Sequence, residues 1–553
     1  MSAEARETGG KPGSGRFGLF DAIVLALVAC LAFAITGPLL LSGEHLIGGD
    51  GLFPPDQLQY LSWIRQAADH WLIANRWDMA PDTRVFLHPG FLASGLAVRW
   101  FGLPIEYANL AIWKPLAILI VFFGVRQYTR RMLLPGWPAR VGLLLGLFLL
   151  PPMSSIAHRL GSGAKLDYNL DFITSEMWPG QQLLGYEVAA TAIFMVPFVL
   201  LGVERARARR SHALLAACVL GAIWIMWLQP WQGAELALIV AATEMWRWWR
   251  RGERPWWPLA AVPILAAAPA VYYAVLERTD PAWEYYGETN LADSNPLFNW
   301  SPLAVAACLA PLAIPALISL RRPASDWQGT AVRIWPLAIA FVYFQPFGTF
   351  PFHSIQGLSI PLAVMAVQAF TVARPRWLPR PAAWWVVPAV LLLTVPGTVH
   401  RLKIGWDNVD GKIFPYTFGP GDREALRWIA DDPAAGAVFA DRYAGLLVPA
   451  FSQRESYVGT PALTPDFERK NMETNAILLG LATPRDAQAA VARSGARFVF
   501  LACAGWKGGA PDLMPLIGPL VEEERSFGCA RAYRLKPTPA SDAFVRAAGA
   551  KDG

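Results

Sequence analysis

Charged residues are scarce in this chain of 553 residues: Asp, Glu, Lys and Arg make up 16% of it, whereas hydrophobic residues make up 54%. A soluble protein of this length carries about 25% charged residues. Here the apolar residues are collected in runs that approach the roughly 20 residues needed to cross a bilayer as a helix. The composition excludes an ordinary soluble enzyme and predicts a polytopic membrane protein.

Gly-rich phosphate-binding motifs are also missing, because none follows a predicted strand. This absence excludes a P-loop or dinucleotide-binding fold. The net charge of +6 is distributed over loops between apolar runs, so it predicts no nucleic-acid partner. Residues 1–18 are polar and the run at 19–41 is too long for the apolar region of a signal peptide. We therefore expect residues 1–18 to be a cytoplasmic tail.

Hydropathy predicts an all-α membrane domain over residues 19–399. Its eleven predicted spans lie near residues 19–41, 105–124, 139–153, 186–203, 212–229, 231–246, 257–276, 301–319, 332–346, 354–373 and 382–399. Every second connecting loop is rich in arginine, and basic loops stay in the cytoplasm. The pattern predicts a cytoplasmic N-terminus and large outer loops at 42–104 and 152–185.

Residues 400–553 differ in composition from the rest and are predicted to form an extracytoplasmic α/β domain. Their apolar stretches have the length of strands, as in AVFADRY, ARFVFLACA and CARAYRL. Helical patterns such as GDREALRWIADD and TPRDAQAAVARSG separate them.

Cysteine is rare, with five residues in the whole chain. Three of them lie inside predicted spans, where cysteine behaves as a small apolar residue. Cys503 and Cys529 lie in strand-like segments of the outer domain. A disulfide between them fits an oxidising compartment, but two buried thiols fit the sequence equally well.

Two acids, Asp50 and Asp56, follow the first span in GGDGLFPPDQLQYLSWIRQAADHW. Asp56 follows two prolines and precedes Gln59 by three positions, which is typical of a helix N-cap with a capping-box partner. Asp50 is typical of a turn. The apolar residues after Gln57 recur at helical spacing and predict an amphipathic helix along the membrane interface.

The order of features in the first 130 residues resembles the GT-C superfamily of membrane glycosyltransferases. Those proteins carry an Asp-acid-x-x-Tyr element after the first span, then a His-Pro element and an FG turn. The matching residues are Asp56 with Tyr60, then His88 with Pro89, and then Phe101 with Gly102. Gln57 stands where the family often has its second acid, and Asp50 is the candidate to replace it.

The resemblance implies an inverting transfer of sugar from a polyprenyl-phosphate donor to a cell-envelope acceptor, on the outer face of the membrane. A hydroxyl acceptor needs a general base, which the resemblance assigns to Asp56 with Asp50 as its partner. A phosphate leaving group needs cations or a divalent metal such as Mg²⁺ or Mn²⁺. The metal-ligand candidates are Asp50, Asp171 and Glu176, although loop acids are more often simply solvated.

Substrate-binding candidates are polar residues that the predicted topology places at the outer face. They are Tyr60, His88, Arg159, Lys165, His353, Arg401 and Lys403. For the last two, contact with lipid head groups is the alternative interpretation. The tryptophans of WIMWLQPWQG (Trp224 to Gly233) fit a membrane-interface belt better than a sugar platform.

Two other classes of function remain open from the sequence. A lipid or glycan transporter, such as a flippase, is expected to have repeated halves and charges inside spans, whereas this sequence shows no repeat and few charges inside its predicted spans. A non-catalytic envelope scaffold would use the outer domain to bind a partner.

Overall fold

The structure is a computed structural model that describes residues 16–41, 46–50, 54–79, 83–159, 161, 164–290, 302–345, 350–371, 383–410, 419–503 and 509–549.

The membrane domain consists of helices joined by short connections. Its helices are α1 Leu19–Ala32, α2 Thr36–Leu41, α3 Pro54–Asp69, α4 Pro89–Phe101, α5 Ile105–Met132, α6 Trp137–Phe148, α7 Met153–Arg159, α8 Ala164–Met177, α9 Pro179–Leu183, α10 Glu187–Ile193, α11 Val196–Arg209, α12 His212–Leu228, α13 Pro230–Arg251, α14 Ala261–Thr279, α15 Pro281–Thr289, α16 Pro302–Ser319, α17 Trp327–Tyr343, α18 Ser359–Thr371 and α19 Ala383–Asp410.

Helices of this domain coincide with each predicted span, which confirms the all-α prediction. By length and composition, five helical stretches in the described residues could cross a membrane: Ile105–Met132, Glu187–Arg209, Trp257–Thr279, Pro351–Thr371 and Trp385–Asp407. Four shorter apolar helices accompany them: Leu19–Ala32, Trp137–Phe148, His212–Leu228 and Ala304–Ser319. The total of eleven spans stays a prediction.

A buried ion cluster joins several of these helices. The Lys114 ammonium of α5 lies 2.6 Å from the Asp50 carboxylate and 2.7 Å from that of Glu187 on α10, and all three side chains are fully buried. It also donates to the carbonyl oxygens of Ala32, at 2.8 Å, and Leu183, at 3.0 Å. Buried charges are tolerated only when they are paired and hydrogen-bonded, and this ammonium has four oxygen partners.

The C-terminal domain has the predicted α/β architecture. Its elements are α20 Pro420–Asp431, β1 Ala437–Phe439, α21 Arg442–Phe451, α22 Phe467–Leu478, α23 Pro484–Ser494, β2 Ala496–Leu501, α24 Met514–Ile517, β3 Val521–Phe527, β4 Ala530–Leu535 and α25 Pro539–Gly549. The sheet order is β1-β2-β4-β3, with β1 parallel to β2 and the other pairs antiparallel. The three apolar strand segments were predicted, but the edge strand β3 was not.

The C-terminal domain packs directly on the membrane domain. The apolar face of α3, which includes Leu58, Leu61 and Ile64, forms one core with residues of α4 and α21. Protein therefore covers the apolar face of α3, which was expected to meet lipid, and the position of this helix along the membrane interface stays a prediction. An ion pair of 2.6 Å between Arg423 of α20 and Glu106 of α5 adds a second attachment.

The two cysteines of the C-terminal domain form a disulfide, with Cα atoms 5.0 Å apart. The bond joins Cys503, just after β2, to Cys529, just before β4. Of the two alternatives that the sequence left open, the structure has the disulfide.

We expect Lys114→Met to be strongly destabilising, because it leaves the buried Asp50 and Glu187 carboxylates without their cation. Breaking a buried ion pair from one side costs about 3–5 kcal/mol. The matched control is Lys403→Met, since Lys403 is 67% exposed and pairs with Asp407 on the surface, where such pairs contribute less than about 1 kcal/mol. Thermal unfolding of the two purified variants in detergent should separate them. Equal midpoints would contradict the assigned role of the cluster.

Replacing Cys503 and Cys529 together by Ala should destabilise the C-terminal domain by about 3 kcal/mol, because the closed loop of 26 residues regains its freedom in the unfolded chain. The control is Cys218→Ala, which removes a buried free thiol. Thiol labelling should find both outer cysteines unreactive until a reductant is added. Labelling without reductant would contradict the bond.

Candidate active site

A cavity of about 1640 Å³ lies between the membrane helices and the C-terminal domain. Its walls come from α3, α8, α13, α14, α15 and α17, from the turn at residues 351–355, and from the start of α21. Its ionisable lining residues are Asp56, Tyr60, His88, Glu176, Tyr186, Tyr273, Glu277, Tyr286, His353 and Arg442. Several residues predicted separately from the sequence therefore line one space.

Asp56 is exposed to this cavity and is held from one side. Helix α3 begins at Pro54, so Asp56 lies in its first turn and the N-cap prediction was wrong. A carboxylate is favourable there, because the helix dipole is positive at its N-terminus. The Tyr186 hydroxyl donates to Oδ2 of Asp56 at 2.7 Å. The contact fixes one carboxylate oxygen while the side chain stays accessible.

The pKa of the Asp56 carboxyl is raised above its usual range. The main cause is desolvation, since cavity walls surround the side chain even though it can be reached from the cavity. The negative charge of Glu176 adds to the shift, whereas the hydrogen bond from Tyr186 and the neighbouring His353 and Arg442 oppose it. A carboxyl with a raised pKa is a stronger base once it has lost its proton.

Glu176 of α8 is buried in the cavity wall next to His353. Its Oε1 accepts from Gln181 at 3.0 Å, and its Oε2 accepts from Gln356 at 2.6 Å. Nδ1 of His353 lies 3.3 Å from the same Oε2. His353 also meets the Trp231 ring edge-on, with centroids 4.8 Å apart. The structure thus brings together two residues that the sequence placed in different loops.

Arg442 is the cation that sequence reasoning missed. Asp441 caps helix α21 by accepting from the amides of Tyr443 and Ala444, which places Arg442 at the first helical position and at the cavity wall. Its guanidinium lies over the rings of Tyr443 and Phe467, at 5.4 Å from each centroid. The segment AVFADRY was interpreted as one strand, but the strand ends at Phe439 and a helix follows. A signal was present, because Asp441 is a good N-cap residue.

Tyr60 and His88 form part of an aromatic wall of the cavity. Tyr60 lies 5.0 Å from the Phe91 ring, and desolvation raises its pKa well above the usual range. His88 caps α4 by accepting from the Phe91 amide and stacks on that ring at 4.0 Å. Burial lowers the pKa of His88 to about 3, so the imidazole is neutral at physiological pH. Trp227 and Trp231 line the same cavity.

Asp50 lies elsewhere, contrary to the prediction that it shares the rim with Asp56. Its carboxylate is fully buried against Lys114 and accepts from Thr36 and from Gln57, the latter at 3.1 Å. Its backbone amide donates to the Gln57 side chain at 2.8 Å. Asp50 therefore neutralises Lys114 and is not among the residues that line the cavity.

The remaining predicted substrate-binding residues are Arg401, Lys403, Arg159 and Lys165. Arg401 is buried and donates to Asp171 at 3.1 Å and to Gln181 at 3.4 Å, so it holds α8 and α9 against α19. The exposed Lys403 pairs with Asp407 of its own helix. Arg159 is exposed at the end of α7. The side chain of Lys165 is outside the described part of the structure.

The predicted metal ligands do not converge. Asp50 is paired with Lys114, Asp171 with Arg401, and Glu176 with amide groups and His353. Across the described residues, no group of three or more His, Cys, Asp and Glu could hold a metal ion. The donor set that the sequence suggested for a divalent cation does not fit one.

No family model and no curated protein matches this sequence. Solved structures do match its fold. The Archaeoglobus fulgidus oligosaccharyltransferase in the apo form superposes with a TM-score of 0.51 and 11% identity, over 87% of this chain and 69% of that chain. The same enzyme in complex with Zn and sulfate gives a TM-score of 0.50 and 12% identity, over 86% and 67%. Arabinofuranosyltransferase AftD from Mycobacteria gives a TM-score of 0.51 and 14% identity, over 94% of this chain and 42% of that chain.

The chain has the GT-C membrane fold. This confirms the fold that the resemblance implied from Asp56, Tyr60 and His88. At these identities the likeness concerns architecture, a helical membrane domain followed by an outer domain. It assigns no role to any single residue, so the chemistry has to be argued from the cavity itself.

Proposed function

We propose that this protein is an inverting membrane glycosyltransferase, which transfers a sugar from a polyprenyl-phosphate donor to a cell-envelope acceptor on the outer face of the membrane. The observation that carries the proposal is the Asp56 carboxylate, exposed in a large cavity, with one oxygen held by Tyr186 and its pKa raised. The GT-C fold, shared with an oligosaccharyltransferase and an arabinofuranosyltransferase, supports it.

In the proposed reaction Asp56 acts as general base. Its carboxylate takes the proton of an acceptor hydroxyl, and the hydroxyl oxygen forms a bond to the anomeric carbon of the donor sugar. The bond between that carbon and the phosphate oxygen breaks, and the polyprenyl phosphate leaves with the electron pair. Attack on the side opposite the leaving group inverts the anomeric centre. Proton removal of this kind contributes about 10²–10⁴-fold to a rate.

Arg442 supplies positive charge on the cavity wall for the phosphate group. It has no carboxylate partner in the described part of the chain, and its charge already acts on Asp56. Charge that is in place before the reaction stabilises a developing phosphate anion without reorganisation. Because the predicted metal ligands do not converge, no step is assigned to a metal ion.

The apolar part of the cavity suits a polyprenyl chain. Small and aliphatic side chains of α13 and α14 line it, and from α17 come Leu337 and Phe341. These two side chains are 68% and 66% exposed, on a helix of the membrane domain. The cavity therefore continues from the Asp56 region to an apolar surface of the kind that meets lipid. A lipid-anchored donor needs such a route.

The predicted orientation, with the N-terminus in the cytoplasm and the C-terminal domain outside, belongs to the same proposal. The disulfide between Cys503 and Cys529 supports it, because disulfides persist in oxidising compartments. This orientation places the cavity, which the C-terminal domain helps to close, on the outer side of the membrane.

We expect Asp56→Asn to lower the rate of sugar transfer by about a hundredfold or more, because the amide cannot accept the proton. The matched control is Asp69→Asn, which changes an exposed acid at the other end of the same helix and should retain activity. Mass spectrometry of envelope glycans from cells carrying each variant would reveal the loss. Product formation by purified protein in detergent, where a flippase has no two sides to connect, would separate the enzyme from a transporter. Full activity of Asp56→Asn would refute the assignment.

The pH dependence of transfer should follow the Asp56 carboxyl. The base works only when deprotonated, so the rate rises as pH rises through its pKa. Tyr186→Phe removes a hydrogen bond that lowers this pKa. The acid limb of the pH–rate profile, the pH range in which the rate rises, should therefore move to higher pH. Glu176→Gln removes a negative charge that raises it, and should move the limb to lower pH. Initial rates of both variants across the acid range test the two directions. Limbs that stay in place, or move together, would contradict the assignment.

A further inference from the structure

A surface rich in tryptophan and arginine lies at the end of α13 and in the segment that follows it. We term it the Trp/Arg patch and define it by Trp246, Trp248, Trp249, Arg250, Arg254 and Trp257. All six residues are exposed, and the four tryptophans are between 46% and 73% exposed. The patch is not among the described residues that line the cavity, and the proposed transfer reaction uses none of its residues.

Aromatic rings surround Arg250 in this patch. Its guanidinium carbon lies 5.3 Å from the ring centroid of Trp246 and 5.0 Å from that of Trp249. At such distances the ring electrons attract the cation. The rings of Trp248 and Trp257 meet edge to face, with centroids 6.2 Å apart, and connect α13 to the segment before α14. The planar guanidinium of an arginine is suited to the paired oxygens of a phosphate.

The positive charge of the patch is not neutralised by the protein. Glu253 lies between the two arginines of the patch, but it already forms an ion pair with Arg247 at 2.6 Å. Across the described residues, Arg250 and Arg254 form no ion pair. Arg210, at the end of α11, adds a third unpaired arginine close by, since its guanidinium lies over the ring of the residue before Trp257. The patch therefore attracts an anion.

The helices place the patch at the depth of lipid head groups. Helix α13 begins at the cavity, which Trp231 lines, and ends at Arg251. Its 22 residues rise about 33 Å at 1.5 Å per residue, which is close to the thickness of the hydrocarbon core, about 30 Å. The stretch Trp257–Thr279, which could span a membrane, returns to the cavity, where Glu277 is part of the wall. Patch and cavity thus lie at opposite ends of these helices.

We propose that the Trp/Arg patch binds the head groups of anionic phospholipids. Indole rings prefer the boundary between lipid and water, and unpaired arginines at that depth attract lipids with a net negative charge. In a zwitterionic lipid the quaternary ammonium offsets the phosphate, so the arginines favour the anionic kind. In the predicted orientation these lipids belong to the cytoplasmic leaflet, whereas the cavity faces the outer one. The inference goes beyond the proposed function and does not depend on it.

The test is native mass spectrometry of the purified full-length protein with phosphatidylglycerol and phosphatidylcholine added in equal amounts. We expect phosphatidylglycerol to bind about fivefold or more tightly. The double variant Arg250→Gln with Arg254→Gln should lower the affinity for phosphatidylglycerol by about twentyfold, because each arginine near an anionic surface contributes about fivefold. Its affinity for phosphatidylcholine should not change.

The role of the rings is tested separately at Trp249. Trp249→Ala removes one of the two rings beside Arg250 and should weaken phosphatidylglycerol binding by about two- to fivefold. Trp249→Phe keeps an aromatic face and should retain most of the affinity. The matched control is Arg278→Gln, which removes an exposed arginine at the other end of the stretch Trp257–Thr279 and should bind phosphatidylglycerol normally.

Three results would overturn the inference. They are equal affinity of the unaltered protein for the two lipids, unchanged phosphatidylglycerol binding in the double variant, and an equal loss in Arg278→Gln, which would reflect net charge alone. The double variant replaces exposed residues without ion pairs, so its midpoint of thermal unfolding in lipid-free detergent should not change. A lowered midpoint would assign these arginines to folding and would also contradict the inference. Transfer activity at Asp56 should be the same in this variant, so the inference and the proposed function can fail independently.

Discussion

The ammonium of Lys114 binds Asp50 and Glu187 at once, in a position without exposure to solvent. Asp50 is joined in turn to Gln57, the residue that follows Asp56, and Glu187 follows Tyr186. The cluster therefore fixes the chain on both sides of the hydrogen bond between Asp56 and Tyr186. The Lys114 ammonium, which does not line the cavity, therefore helps to fix the position of the Asp56 carboxylate, which does.

The C-terminal domain completes the cavity. It covers α3, the helix that carries Asp56, and it contributes Arg442 from the start of α21. The membrane domain supplies the carboxylates and the apolar walls, whereas the C-terminal domain supplies the arginine. Among the described lining residues, neither domain provides both carboxylates and an arginine, so the proposed chemistry requires the interface between them.

Local patterns in the sequence were sufficient for much of this architecture. Long apolar runs predicted the membrane helices, and apolar stretches of strand length predicted β1, β2 and β4. The strand β3 was missed because VEEERSF is charged and lies at the sheet edge, where burial imposes no apolar pattern. Asp56 was proposed because its segment, with Tyr60 and His88, resembles the GT-C pattern, and its side chain lines the cavity. The position of Asp50 was predicted wrongly because its partner, Lys114, is 64 positions away inside a helix, and no local pattern links the two. Arg442 lies still farther along the chain, and only the packing of α21 on α3 brings it to the site.

The disulfide has a consequence for how the protein matures. The Cys503 amide donates to Asp422, and the next residue, Arg423, forms the ion pair with Glu106 of the membrane domain. The disulfide is thus connected, through the hydrogen bond from Cys503 to Asp422, to the residue next to the Arg423–Glu106 ion pair that attaches the C-terminal domain to the membrane domain. The bond stiffens the segment that docks. While both thiols are still reduced, the C-terminal domain and the cavity wall that carries Arg442 are held less firmly on the membrane domain, so the cavity is completed only as the disulfide forms.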